Sequence, residues 1–311
     1  MVFYNWIGQA ERNLPSLLPA TKPLCLVALE YKKPIATVVA TPFNRRGTCW
    51  SLDFPELLSE PKECSLSQIK QSLLQKALGF EKTKAQSWLI RCQANDKSLL
   101  SIARGNGFQP LKIFNCWSSK GTITSVTNST NLKNSLFEWQ KINKENANHL
   151  LRLEQVGQSS NLRQILDRQL RDLIELKQAL SGVLISNESI PVSVIAGLLL
   201  RETNENKLTI ELLRDLAWDE RIVRGIPYIL EEINKFNDNI LIETSIEDQN
   251  LTELLSDIGC TFQHENILLG KTLWRRQGSR KVINGAKNLE SMLGRLRPNT
   301  PPLPAPSLEP R

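Results

Sequence analysis

An internal repeat constrains the fold of this chain more than any other feature of its sequence. The segments "SLLSIARGNGFQ" (Ser98–Gln109) and "ELLSDIGCTFQ" (Glu253–Gln263) are similar and begin about 155 residues apart. Upstream of each lies a short apolar run, "IATVVAT" (Ile35–Thr41) and "PVSVIAG" (Pro191–Gly197), at nearly the same interval. Short β-branched runs bounded by turn residues predict strands. A chain of 311 residues has room for two domains, and the repeat predicts that they are two copies of one unit.

The two halves have the same predicted order of elements: three strands, a helix, a strand, a second helix and a last strand. The first helix, in "SLSQIKQSLLQKAL", is apolar at helical spacing, and Ser65 is placed to cap it. Gly105 and Gly259 follow the second helix of each half and are typical of helix C-caps. We therefore expect an α/β (α+β) fold of two units, each a mixed, mostly antiparallel sheet flanked by helices. Packed together, they would form an intramolecular pseudo-dimer.

Composition divides the chain further. A polar stretch that begins "SSKGTITSVTNSTN" separates the two halves, and a short helix is predicted in it near "LFEWQKI" (Leu136–Ile142). A longer amphipathic helix, "NLRQILDRQLRDLIELKQAL", begins at Asn161 near the start of the second half, where Asn161 and Gln164 resemble a capping box. The predicted segments are a first half at 1–117, a linker at 118–148, a second half at 149–276 and a disordered tail at 277–311.

The basic charge of the chain is concentrated in that tail. The net charge is +7, but Arg275–Arg311 holds eight Lys/Arg and two Glu, so the rest of the chain carries only about +1. Six prolines lie in the last fourteen residues, a composition that does not bury a core. We expect the tail to keep the protein in solution, with weak nucleic-acid contact as the alternative.

Membrane and metal-binding classes find no support in the sequence. No apolar run approaches the roughly 20 residues that span a bilayer, and the first residues do not resemble a signal peptide. We expect a cytoplasmic protein without membrane contact. Six cysteines form no CxxC pair and only two histidines occur, so we expect reduced thiols and no metal site.

Two segments of the second half carry a resemblance to a known family. The segment "DERIVRGIPYILEE" (Asp219–Glu232) and the segment "NLTELLSDIGCTF" (Asn250–Phe262) resemble the phosphate-binding turn and the closing helix of GNAT-type N-acetyltransferases. The likeness extends coarsely over both halves and in detail over Leu208–Arg276. It implies acetyl-CoA as co-substrate, an amine of a small molecule or a protein as acceptor, and acyl transfer as the reaction.

The resemblance also implies where the co-substrate binds. Backbone N–H groups at a helix N-terminus favour an anion such as the pyrophosphate of CoA. Pro227 stands where the family has Gly or Ala and removes one donor, which Arg224 is placed to replace. The first half has "PELLSEPKECSLSQ" at this place, without a glycine, and is expected to be a degenerate copy that does not bind CoA. The implied cofactor-binding residues are Ala217, Trp218, Val223, Arg224, Gly225, Ile226 and Asn250.

Catalytic residues are fewer. Glu211 lies on the strand where the family often has its general base, so the resemblance implies that role; the alternative is an ion-paired strand carboxylate. Asp257 stands where the family commonly has a tyrosine that acts as the general acid. Without that tyrosine, water would have to protonate the leaving thiolate. Two functions stay open: an acyl-CoA-dependent N-acyltransferase or its descendant, and a non-catalytic GNAT-like binding or scaffold protein. Whether the protein is an enzyme is therefore undecided from sequence.

Overall fold

The computed structural model describes residues 22–80, 85–119, 136–175, 180–187, 193–204, 207–234 and 240–273. The chain divides into two units, Met1–Leu273 and Trp274–Arg311. The second unit, which contains the predicted tail, lies outside the described residues. No helix among the described residues is both long enough and apolar enough to cross a membrane.

Twelve strands and seven helices make up the described part of the first unit. The strands are β1 (Leu24–Glu30), β2 (Lys33–Pro42), β3 (Cys49–Leu52), β4 (Glu56–Leu57), β5 (Ser87–Gln93), β6 (Gln109–Ser118), β7 (Phe137–Lys141), β8 (Gly182–Ser186), β9 (Ser193–Asn204), β10 (Lys207–Arg214), β11 (Ile240–Ser245) and β12 (Thr261–Thr272). The helices are α1 (Leu66–Leu78), α2 (Lys97–Gly105), α3 (Ala147–Val156), α4 (Ser160–Leu166), α5 (Leu170–Glu175), α6 (Arg221–Asn234) and α7 (Gln249–Asp257).

All twelve strands belong to one sheet, and the two halves exchange their last strands within it. The strand order is β1-β2-β3-β5-β12-β6-β11-β10-β9-β8-β7, with β4 paired to β2. Strand β12 thus lies between β5 and β6, and β6 lies between β12 and β11. Only the pairs β3–β5 and β10–β11 are parallel. The structure confirms the mixed, mostly antiparallel α/β fold; the boundaries 1–117, 118–148 and 149–276 stay a prediction, because one sheet joins the halves.

Side chains that alternate along the strands pack against helices on both faces of the sheet. In β5, Trp88 and Ile90 are buried in the cluster that includes α1 and α2, while Leu89 faces α4 on the opposite side. In β10, Leu212 is buried with α6 and α7, whereas Leu213 is buried with α3. Alternation of this kind places α1, α2, α6 and α7 on one face of the sheet and α3, α4 and α5 on the other.

The structure confirms one local prediction from the sequence and contradicts another. Helix α1 begins where expected, because Ser65 accepts a hydrogen bond from Gln68 N and the Gln68 side chain returns to the Ser65 backbone. The segment near "LFEWQKI" was predicted as a helix, which is wrong: it forms strand β7, antiparallel to β8. The aromatic residues in it pack on the sheet instead, with Phe137 almost fully buried.

The long helix predicted from Asn161 is also wrong in detail. It begins two residues earlier than expected, with Ser159 rather than Asn161 as the cap of α4, and it stops at Leu166. Asp167 then adopts a left-handed conformation, with φ of 46°. Thr48 donates a hydrogen bond to the Asp167 carboxylate at 2.7 Å, and Asn44 donates to the Leu166 carbonyl at 3.1 Å. These contacts with the β2–β3 turn stabilise the break between α4 and α5.

Candidate functional site

The parallel strands of the second half separate at their carboxyl ends. Strands β10 and β11 pair from Leu208 with Ile240 to Glu211 with Glu243. Beyond that pair β10 continues to Arg214 beside β9, and β11 continues to Ser245 beside β6. A crevice outside the carboxyl ends of parallel strands is where open α/β sheets bind ligands. We call this gap the β10–β11 crevice.

A carboxylate of the chain itself lies at the start of α6, beside the crevice. Asp219 accepts hydrogen bonds from the Arg221 backbone N–H at 3.0 Å and from its guanidinium, and the Asp219 carbonyl accepts from Ile222 N at 2.9 Å. The N–H of Val223 donates to the Glu220 carbonyl at 3.2 Å. The hydrogen bonds from Arg221 lower the pKa of Asp219 despite its partial burial. The first three amide groups of α6 are therefore already bonded within the chain.

The structure places the predicted cofactor-binding residues in two environments. Side chains on the outer surface are those of Ala217, Val223, Arg224 and Asn250, with Trp218 half-buried beside them. Gly225 and Ile226 are buried against the sheet. A Cβ atom on Gly225 would lie 2.6 Å from Leu184 Cδ2 and 3.2 Å from Ile195 Cδ1. Glycine at 225 therefore has a packing reason, because it lets α6 approach β8 and β9.

An ion pair that the sequence analysis missed spans the mouth of the crevice. Arg214, the last residue of β10, forms two hydrogen bonds of 2.7 Å with the carboxylate of Asp248, which caps α7. Its guanidinium also donates to the carbonyls of Asp215 and Leu216 and lies 5.2 Å from the Trp218 ring. The two charged residues are 34 positions apart, so no sequence spacing linked them. The pair ties the end of β10 to the start of α7.

Glu211 faces a second space, on the side of the sheet opposite to α6. This space, the central cleft, has a volume of about 900 Å³ and lies on the face that carries α3, α4 and α5. Its lining comes from both halves, with Ser51, Leu89 and Phe114 from the first and Thr209, Glu211 and Leu241 from the second. The strand exchange makes this shared lining possible, because β6 and β12 bring the two halves edge to edge.

Cations surround Glu211 in the cleft. Arg201 Nε donates to one carboxylate oxygen at 2.6 Å, and Lys112 Nζ donates to the other at 3.2 Å. Burial alone would raise the pKa of Glu211, but the charges of Arg201, Lys112 and Arg91 outweigh it and hold the pKa well below its usual range. The same carboxylate, together with Glu154, raises the pKa of Arg201 against the effect of burial. Glu211 is therefore ion-paired, and its role as a general base stays a prediction.

The charged contacts continue on both sides of Glu211. Glu154 of α3 accepts hydrogen bonds from Arg201 at 3.0 Å and from Arg168 at 2.9 Å. On the other side Arg91 pairs with Glu243, which also accepts from Asn266 at 2.9 Å. These residues come from separate strands, α3 and the α4–α5 turn, so only the tertiary structure brings them together. We call the seven charged residues the cleft network: Arg91, Lys112, Glu154, Arg168, Arg201, Glu211 and Glu243.

In the GNAT fold, a helix follows the first of two parallel strands, and these strands separate at their carboxyl ends. The chain has that fold. A solved structure supports it: a tandem GNAT protein from the clavulanic acid biosynthesis pathway superimposes with a TM-score of 0.54 at 10% identity, over 82% of this chain and 84% of that chain. A GCN5-related N-acetyltransferase from Sphaerobacter thermophilus matches with a TM-score of 0.49 at 11% identity, over 86% and 84%. At these identities the similarity establishes the fold alone.

Sequence comparisons add no closer relative. No protein-family model matches the chain, and no curated protein matches it significantly. The GNAT resemblance of the sequence is thus confirmed at the level of the fold, and the chemistry has to be argued from the residues themselves.

Proposed function

We propose that the protein is an acyl-CoA-dependent N-acyltransferase, or a descendant of one, that uses acetyl-CoA and an amine of a small molecule or a protein. The observation that supports this proposal is the separation of β10 and β11 directly before α6. A narrow gap between parallel strands suits a thin, extended chain such as the pantetheine of CoA. Apolar side chains exposed around the gap, Leu216, Val223 and Ile246, add surface for its apolar groups.

The phosphates are assigned to side chains rather than to a backbone cradle. The first amides of α6 are bonded to Asp219 and Glu220, so they do not fit a pyrophosphate without rearrangement. Arg224 is exposed in the first turn of α6 and offers a charge-assisted contact. In this proposal Arg224 holds a phosphate, Trp218 and Val223 line its approach, and Asn250 lies at the start of the neighbouring helix α7.

In this proposal Glu211 is the general base. The ammonium of the acceptor loses a proton, directly or through water, to this carboxylate. The free amine then attacks the thioester carbonyl carbon, a C–N bond replaces the C–S bond, and water protonates the thiolate that leaves. Because the ion pairs keep Glu211 ionised, it is always in the form that accepts a proton. Its lowered pKa makes it a weak base, however, so the proton has to pass on to solvent.

The same ion pairs favour a second candidate, a non-catalytic protein that keeps the GNAT fold for binding. A carboxylate that neutralises two buried cations has a structural role without any reaction. The Glu211→Gln variant separates the candidates. If the protein is an acyltransferase, the substitution should lower the rate of CoA release by about 100-fold or more, as expected when a general base is removed. The rate is measured with acetyl-CoA and a panel of amines. A binding protein shows no release to lose and only a lower melting temperature.

CoA binding is the first test of the proposal. We expect one CoA per chain by titration calorimetry, and Arg224→Ala to weaken binding by about tenfold, because a charged hydrogen bond contributes roughly 1.5–3 kcal/mol. Val223→Asp adds a negative charge in the first turn of α6, which suits a helix N-terminus and leaves the fold intact. It should nevertheless repel a phosphate bound there.

Ser67→Asp is the matched control, since Ser67 is exposed in the first turn of α1, at the corresponding helix of the first half. It should leave CoA binding unchanged. No heat at millimolar CoA would eliminate the acyltransferase proposal in favour of the binding protein. Weakening by Ser67→Asp instead of Val223→Asp would place the site in the first half.

A further inference from the structure

The central cleft is a space apart from the β10–β11 crevice mouth. Its volume of about 900 Å³ lies in the range of small-molecule sites. Its lining includes residues of β2, β3, β5, β9 and β10 but none of Arg214, Leu216 or Asp248. The cleft also extends past the ends of β3 and β5 to apolar side chains, Leu52, Phe54 and Leu99. It therefore offers the charged region of the cleft network and a mixed region, in which these apolar side chains lie beside Asp53, Glu56 and Lys70.

Four cations meet in the charged region, and the carboxylate of Asp172 lies near one of them, Arg168, in addition to those of the cleft network. The cleft network holds four cations, Arg91, Lys112, Arg168 and Arg201, against three carboxylates. The two inner carboxylates are each shared between two cations: Glu154 by Arg168 and Arg201, and Glu211 by Arg201 and Lys112. Buried charges without a full set of partners are costly, so an anion in the cleft is favoured.

Arg168 is the cation whose partners are least complete. Its side chain is 6% exposed, one terminal nitrogen donates to Glu154, and its Nε is buried without a hydrogen-bond partner in the described part of the chain. Burial lowers the pKa of Arg168, against the opposing effect of Glu154. The residue lines the cleft.

Aromatic rings hold these cations in place. The Arg168 guanidinium carbon lies 4.2 Å from the centroid of the Phe43 ring, and Arg91 and Lys112 lie 4.7 and 4.8 Å from that of Phe114. Cations over ring faces are oriented before any ligand arrives, which reduces the ordering cost of binding.

From this arrangement we infer that the central cleft binds a small organic acid, with its carboxylate or phosphate at Arg168, Lys112 and Arg91 and its apolar part toward Leu52 and Phe54. The site is assembled from both halves, since Arg168 follows α4 and Lys112 and Arg91 belong to β6 and β5. It shares Glu211 with the acyltransferase proposal, but it uses none of the residues assigned to CoA, which lie at the start of α6 and of α7.

The test uses the full chain with two probes, inorganic phosphate and hexanoate, at constant ionic strength. Binding of either probe should raise the melting temperature and give a measurable dissociation constant by calorimetry. Hexanoate should bind more tightly than acetate, because only hexanoate has an apolar chain for the Leu52–Phe54 region. A preference for phosphate over both carboxylates would identify the acid group as a phosphate.

Variants then locate the site. Arg168→Met combined with Glu154→Gln removes the cation together with its carboxylate partner, so no unpaired charge is left behind; it should weaken anion binding at least tenfold. Arg91→Gln should weaken anion binding severalfold, and it should also lower the melting temperature, because the buried Glu243 then keeps only its hydrogen bond from Asn266. Arg152→Gln is the control, because Arg152 is a surface arginine paired with Asp215.

Two results would overturn the inference. One is a wild-type protein whose melting temperature does not respond to either probe at tens of millimolar. The other is binding that survives both the double substitution and Arg91→Gln. Neither result depends on CoA: Val223→Asp should abolish CoA binding and leave the anion response unchanged, so the two proposals fail separately.

Discussion

At the residue scale, Glu211 shows how neighbours decide the behaviour of a carboxylate. Its pKa in the folded protein lies well below the ordinary value of 4.5, so its ion pairs stabilise the fold above about pH 4.5. As the pH falls further, the unfolded chain binds this proton before the folded one, and that stability is lost. We expect the free energy of unfolding to decline below pH 4.5 by up to about 1.4 kcal/mol per pH unit from this group.

Denaturant unfolding between pH 2.5 and 7 measures the effect. The Glu211→Gln protein, less stable at pH 7, should show a shallower acid decline by the contribution of one proton. Parallel curves for the two proteins would mean that the ion pairs do not control the titration of Glu211.

Gly225 makes a second prediction at this scale. Alanine raises helix propensity by about 1 kcal/mol over glycine, which would stabilise an exposed position. At 225, however, the added methyl group overlaps Leu184, a fully buried side chain with little room to move. We expect Gly225→Ala to destabilise the protein by about 1–3 kcal/mol. Gly105→Ala, in α2 with open space around it, is the control and should be neutral or stabilising; equal effects would refute the packing argument.

At the scale of elements, α2 and α7, the helices of the internal repeat, differ in the contacts of their N-cap residues. Asp96 and Asp248 each accept a hydrogen bond from the backbone N–H three residues later, at the starts of α2 and α7. Asp248 binds an arginine as well, through the two 2.7 Å contacts with Arg214. The repeat therefore preserved the cap, and the second half added a link between β10 and α7.

Substitution by asparagine separates those two roles. Asn keeps a capping oxygen but removes the charge, so Asp248→Asn should cost about 1–2 kcal/mol, as a charged hydrogen bond is lost. Asp96→Asn should cost about 0.5 kcal/mol or less, from the helix dipole alone. Thermal melting of both variants gives the comparison, and equal losses would show that the Arg214 contact adds nothing to stability.

At the scale of the whole molecule, the exchange of β6 and β12 makes the halves dependent on each other. Without β12, both β5 and β6 present unpaired edges that favour aggregation. We expect the fragment 1–119 not to fold as a monomer, whereas 1–273 unfolds in one cooperative transition. Mixing fragments 1–119 and 136–273 should give a folded heterodimer by light scattering and circular dichroism. A monomeric, cooperatively folded 1–119 would contradict this account.

Sequence patterns were informative where the interactions are local. Ser65 predicted the start of α1. The two segments of the internal repeat predicted α2 and α7 and the order of the strands around them. Sequence patterns failed where contacts with residues distant in sequence determine the secondary structure. Phe137 reads equally well in a helix or a strand, and only the edge offered by β8 selects the strand. The break at Asp167 depends on Asn44 and Thr48, more than 110 residues away.

The sequence by itself was enough to predict a duplicated α/β unit, because periodicity, caps and repeats act over a few residues; the GNAT type came from the resemblance of Asp219–Glu232 and Asn250–Phe262 to that family. Tertiary structure alone decided that the halves share one sheet, since strand order depends on which edges meet. It also determined the pKa of Glu211, because the pKa of a carboxylate depends on charges within a few ångströms. The cations that set it, Lys112 and Arg201, come from two other strands, so the cleft exists only once the chain has folded.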